Sequence, residues 1–202
     1  DANTLVATFE DSLQRKDAVN LITSGKRDLP QWLSLDEARE HVRRGISTWD
    51  WAGNYRTNFT DPHNEKKHSN AVDVVLVSAG DYQTQETLAA AQLLKEMMPE
   101  LKFQYVNVNE LTRLGLGDER NPLMTKEDYE YYFTKDKFVI FNFHGYPSAI
   151  KQLLFNSPLS ERTVVLGYMD KGTTTTPFDM QVVNRASRYH VMIQAIMRAS
   201  GV

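Results

Sequence analysis

Between residues 72 and 168, short β-branched or aromatic runs alternate with stretches whose apolar residues repeat at helical spacing, and no other feature constrains the fold as tightly. The runs at 72–77, 103–108, 137–143 and 163–168 are strand-sized. Between the first two, Leu88, Ala91, Leu94 and Met98 recur every three or four positions until Pro99 stops the pattern, which predicts a helix over 84–98. The tyrosine-rich stretch 127–133 and the stretch 148–155 behind Pro147 read as two shorter helices. A closing helix is expected from Thr176 as N-cap, with Pro177 at the first helical position and Asp179 in the first turn. It should carry Val183, Ala186, His190, Ile193 and Met197 along one face. Strands and helices in this alternation imply an α/β three-layer sandwich with a largely parallel, mixed sheet.

Ahead of that unit lies a strand–helix appendage. A helix is expected over 5–15 and a strand over 17–25, ended by Gly25. Ser34-Leu-Asp-Glu37 matches a capping box and starts a helix over 35–44, closed by Gly45 and the Trp49-Asp-Trp51 cluster. Residues 54–70 are polar and rich in turn formers, and read as a linker. The divisions are therefore 1–53, 54–70 and 71–202.

Composition narrows the function classes. A net charge of −3 opposes nucleic-acid binding, which needs concentrated Lys and Arg. The longest apolar runs are far short of the roughly 20 residues that span a bilayer, so no membrane role is expected. With no cysteine there are no disulfides, thiolate ligands or cysteine nucleophiles, which fits a reducing cytoplasm. The chain opens without methionine and without signal-peptide character, and reads as an excerpt of something longer.

Several motifs bear on chemistry. Phe141-Asn-Phe-His144-Gly-Tyr-Pro-Ser148 puts a histidine between a strand end and a helix, where open parallel sheets bind ligands, although His144 could equally brace its own turn. Gly172-Thr-Thr-Thr-Thr-Pro177 could turn the hydroxyls of Thr175 and Thr176 to an anion, or could simply cap the helix behind it. Gly25-Lys26-Arg27 sets two cations past a strand, well placed for a phosphate or carboxylate, or for solvent. His63, Glu65 and His68 are a poor metal site, because the histidines are five apart and Lys66-Lys67 lies between them. Alternating acids and tyrosines over 127–132 suit a helix with one wet and one packed face. Neither a G-x-S-x-G nor a G-x-G-x-x-G motif occurs, and the chain carries no self-contained catalytic signature.

Taken together, Val19-Asn-Leu-Ile-Thr-Ser-Gly-Lys-Arg-Asp-Leu-Pro-Gln-Trp-Leu33, Trp49-Asp-Trp-Ala52, Asp73-Val-Val-Leu-Val-Ser-Ala-Gly80, Asn142-Phe-His-Gly-Tyr-Pro-Ser148, Gly172-Thr-Thr-Thr-Thr-Pro-Phe-Asp-Met180 and Asn184-Arg-Ala-Ser-Arg-Tyr189 closely resemble the C-terminal region of phosphoketolases, in the family's order and across essentially the whole chain. The resemblance implies a transketolase-like enzyme in which diphosphate and pyrimidine domains from two subunits clamp thiamine diphosphate and a magnesium ion. Such enzymes cleave xylulose 5-phosphate, and often fructose 6-phosphate, with inorganic phosphate to acetyl phosphate and an aldose phosphate. It further implies that this chain is the transketolase-type C-terminal domain behind the tail of the pyrimidine domain. The catalytic histidines and metal ligands then lie upstream, and the fragment supports a homodimer or higher oligomer without binding cofactor itself. Lys26 corresponds to the family's basic residue that grips the sugar phosphate, while Arg27-Asp28 stands where relatives more often have glutamine and proline. Two other readings are the equivalent domain of another thiamine-diphosphate enzyme, such as a transketolase, and a regulatory module that binds an anionic metabolite in the sheet crevice.

Overall fold

The computed structural model describes residues 1–55, 72–115, 124–170, 172 and 174–201. Its strands are β1 (Ile46–Thr48), β2 (Val74–Ala79), β3 (Phe103–Val108), β4 (Phe138–Phe143) and β5 (Thr163–Gly167), in the order β1-β3-β2-β4-β5. The last four run parallel, and β1 lies antiparallel on β3 with Ile46 opposite Val108. The helices are α1 (Ala2–Gln14), α2 (Leu35–Arg44), α3 (Asp81–Met97), α4 (Lys126–Phe133), α5 (Pro147–Leu153), α6 (Pro177–Val183) and α7 (Arg188–Ala199).

Three layers follow from the period-two alternation of the buried strands. Val74 and Leu76 of β2, with Phe103, Tyr105 and Ile140, face α1, α2, α3 and α7 through Ala7, Val42, Leu94 and Val191. Their neighbours Val75 and Val77, with Val106, Val139 and Phe141, face α4 and α5 through Phe133 and Ile150. Because both faces are covered, β2 and β3 are buried along their whole length. The expected α/β sandwich with a mostly parallel sheet is therefore present.

Polar side chains knit the C-terminal ends of β2 and β3. Ser78 Oγ lies 2.5 Å from Tyr105 Oη, and Asn107 Nδ2 donates to Ser78 Oγ and Thr84 Oγ1. Asn107 Oδ1 meets His41 Nε2 at 3.0 Å, and His41 Nδ1 meets Ser47 Oγ at 2.7 Å. Buried at 2% exposure, His41 has its pKa pushed down to about 4, because burial penalises the imidazolium more than the Asn107 contact supports it.

Three local expectations need correction. Residues 17–25 are not a strand: they join no ladder of the sheet among the described residues, and Val19 and Leu21 are 101% and 89% exposed. A β-strand needs a neighbouring backbone to satisfy its N–H and C=O groups, and none is beside this segment. The closing helix is two helices, broken at Asn184–Ser187. Arg185 takes φ 55, and the carbonyl of Ala186, freed by the break, accepts from Asn142 Nδ2 of β4 at 2.9 Å. The buried face of α7 is accordingly Val191 and Ala195, while Ile193 and Met197 stay largely exposed. Finally, Ile46–Thr48, to which the sequence assigned no element of its own, is the sheet's antiparallel edge strand.

Candidate functional site

In this strand order the chain leaves β2 towards β3 on one side and reaches β4 on the other, so the carboxyl ends of β2 and β4 flank a topological switch point. Connections diverge there and leave a crevice above the sheet. Two side chains rise at that point. Asp81 opens α3 directly after β2, and His144 follows β4.

Gly80 makes the approach possible. It adopts φ 93, and a Cβ there would lie 2.4 Å from His144 Cβ. The His144 backbone N–H donates to the Ala79 carbonyl, which holds the two strand ends together. His144 Nδ1 is hydrogen-bonded to Asp81 Oδ1, which also accepts from the Tyr82 N–H. Although burial acts to raise it, these contacts hold the Asp81 carboxyl below its ordinary value. With a carboxylate as acceptor, Nδ1 carries the proton and Nε2 is the ring's remaining polar atom. Tyr82 and Tyr168 meet the ring edge-on, with centroids 5.7 and 5.8 Å away.

These groups open onto a crevice of about 280 Å³ whose lining includes Arg27, Tyr82, His144, Tyr168, Thr175 and Gln181. Of the residues singled out from sequence, His144 and Thr175 therefore come together. Thr176 instead caps α6: its hydroxyl donates to Asp179 Oδ2 at 2.6 Å and accepts from the Asp179 N–H. Thr175 Oγ1 donates to the same carboxylate at 3.1 Å, so the threonine loop offers the crevice a wall more than donors. Lys26 is exposed and does not line the crevice, whereas its neighbour Arg27 does. Gly25 approaches closely, since a Cβ there would fall 1.9 Å from Asp81 Oδ2.

Sequence reading missed Asp81, Tyr82, Tyr168 and Gln181. Asp81 carried one usable signal, because an acid just past one strand end and a histidine just past another meet if the strands are neighbours. Nothing local announces that β2 and β4 are neighbours. Among the described residues no cluster of three or more His, Asp or Glu side chains suits a metal ion, and His63, Glu65 and His68 lie outside the described residues.

A family model described as the XFP C-terminal domain matches residues 26–202. A protein of Bradyrhizobium diazoefficiens carrying the name "Probable phosphoketolase" is 41% identical over 201 residues, covering 100% of this chain and 24% of that protein. The chain belongs to the phosphoketolase family. Another such relative, from Clostridium acetobutylicum, is 42% identical over 95% of this chain and 22% of its own length. The chain thus spans about a quarter of the length of the curated relatives it matches. Among solved structures, a transketolase of Pichia stipitis superposes with a TM-score of 0.66 at 11% identity, over 100% of this chain and 24% of that one. A Leishmania mexicana transketolase covers 81% of this chain and 19% of its own, with a TM-score of 0.53 at 12% identity. The fold is that of a transketolase C-terminal region.

Proposed function

We propose that the chain is the C-terminal portion of a cytoplasmic phosphoketolase that cleaves xylulose 5-phosphate, in a family that often takes fructose 6-phosphate too, with inorganic phosphate to acetyl phosphate and an aldose phosphate. The observation that carries this reading is the 41% identity over the chain's whole length to a protein named as a phosphoketolase. At 11–12% identity the transketolases support the fold alone. Thiamine diphosphate and magnesium belong, on this reading, to upstream diphosphate and pyrimidine domains in a homodimer. The chain's own task is to pack against them and to present Lys26, at the end of the pyrimidine-domain tail over 1–53, to the phosphate of the sugar.

Lys26 suits that task on its surroundings. It is exposed and engages no hydrogen bond or ion pair among the described residues, so its ammonium is available to a phosphate. A charge-assisted contact of this kind is worth about 1.5–3 kcal/mol, so its loss costs roughly ten- to a hundredfold. In the full-length enzyme, Lys26→Ala should raise the KM for xylulose 5-phosphate by that factor and lower kcat less, because the phosphate is remote from the breaking bond. A nonphosphorylated ketose should be nearly indifferent to the change. An unchanged KM in a correctly folded enzyme would remove Lys26 from the site, and an equal loss in Arg27→Ala would mean general electrostatic attraction.

A further inference from the structure

The lining of the switch-point crevice is biased in one chemical direction. Arg27 brings a guanidinium that makes no ion pair among the described residues. Gln181 is 3% exposed and lines the crevice; its Oε1 accepts from Gln83 Nε2 at 2.7 Å, and its own Nε2 donates to nothing among the described residues. On a side chain that is otherwise buried, this amide nitrogen keeps two protons for an acceptor in the crevice. His144 Nε2 is likewise without a partner among the described residues. Of the nearby carboxylates, Asp179 is held by Thr175 and Thr176, and Asp81 faces the imidazole from behind through Oδ1, while its buried Oδ2 makes no hydrogen bond among the described residues. What remains is a cation, an amide donor and an imidazole, arranged between the walls of Tyr82 and Tyr168.

We propose that this crevice binds a small organic oxyanion, a phosphate monoester or a polycarboxylate, with Arg27 pairing its charge and Gln181 Nε2 and His144 Nε2 bonding its oxygens. Asp81 is a positioning residue: it fixes the ring through Nδ1 so that Nε2 is presented to the ligand. The volume of about 280 Å³ suits a metabolite better than a bare ion, and the tyrosines supply the apolar contact its carbon skeleton needs. The proposal is independent of the assignment of Lys26, which lies outside the lining.

Calorimetric titration of the purified chain tests it directly, with ribose 5-phosphate, citrate and inorganic phosphate as probes and ribose as the uncharged control. Saturable binding of ribose 5-phosphate or citrate without binding of ribose is expected, and whichever binds more tightly identifies the class. Arg27→Gln, at an exposed position that cannot unfold the core, should weaken that binding at least about tenfold. Gln181→Met, which keeps length and removes the donors, should weaken it comparably while circular dichroism stays that of the wild type. Lys26→Ala should leave it nearly unchanged. No binding of any anion at millimolar concentration, equal binding of ribose, or equal losses in Arg27→Gln and Lys26→Ala would each overturn the proposal.

Discussion

His41 shows how one buried side chain sets a pH limit. It sits under the sheet edge between Ser47 and Asn107, uncharged, with its pKa near 4 against an ordinary 6.5. The unfolded chain takes up a proton near pH 6.5, whereas the folded ring refuses it until about pH 4. Stability from this residue is therefore fully present above about 6.5 and is lost as the pH falls from there towards 4, by up to about 3 kcal/mol. His190, lowered by its own partial burial, contributes in the same direction. Chemical denaturation at pH 7 and pH 4.5 should show a clear fall for the wild type. In His41→Leu, less stable at neutral pH because Asn107 and Ser47 lose a partner, that fall should be shallower. Parallel falls in the two proteins would mean that the ring is charged in the folded state.

At the scale of elements, one ion pair fastens the break between the last two helices. Glu86, 4% exposed on α3, accepts from the Arg188 backbone N–H at 2.8 Å, from its Nε at 3.0 Å and from a terminal guanidinium nitrogen at 2.6 Å. The carboxylate thus serves as side-chain partner and as anion at the N-terminus of α7. Removing it strands the arginine and an unpaired helical N–H, and Glu86→Ala should cost about 3 kcal/mol of unfolding free energy. A loss within the scatter of ordinary surface substitutions would show that Arg188 finds another partner. The same region shows why sequence periodicity misread the element. Val183, Ala186 and His190 keep helical spacing straight through the break, and the Ala186 carbonyl is held there by a tertiary bond from Asn142, which no local pattern encodes. Elsewhere local chemistry sufficed. Ser34 and Glu37 form both bonds of the capping box, and β3 occupies the run expected for it, because caps and β-branched runs act over a few residues. β1 was illegible because three residues are too few for alternation to show.

At the scale of the molecule, the legible and illegible parts divide at the strand order. Alternation of strands and helices yields the layered fold, but the side-by-side placement of β2 and β4 brings Asp81 to His144, and that placement resides in the assembled sheet. The stretch 17–25, which joins no strand of the sheet among the described residues, raises a related question about context. Its β-branched and aliphatic composition matches a strand, yet Val19 and Leu21 project fully into solvent. Covering each of them is worth about 1.5–3 kcal/mol. Val6, Phe9 and Leu13 of α1 are exposed in the same N-terminal region. If residues 1–53 complete an upstream pyrimidine domain, as proposed above, the missing sheet neighbour lies there, and joining the domains should both pair the backbone and bury the side chains. Limited proteolysis reads the difference, because trypsin needs an unpaired, accessible backbone. Cleavage after Lys26 and Arg27 should be rapid in the 202-residue chain. In the full-length enzyme, under the same conditions, those bonds should resist while the fold of the C-terminal region is unchanged. Equal cleavage in both forms would show that the segment stays uncovered, and would remove it, with Lys26, from the pyrimidine-domain sheet.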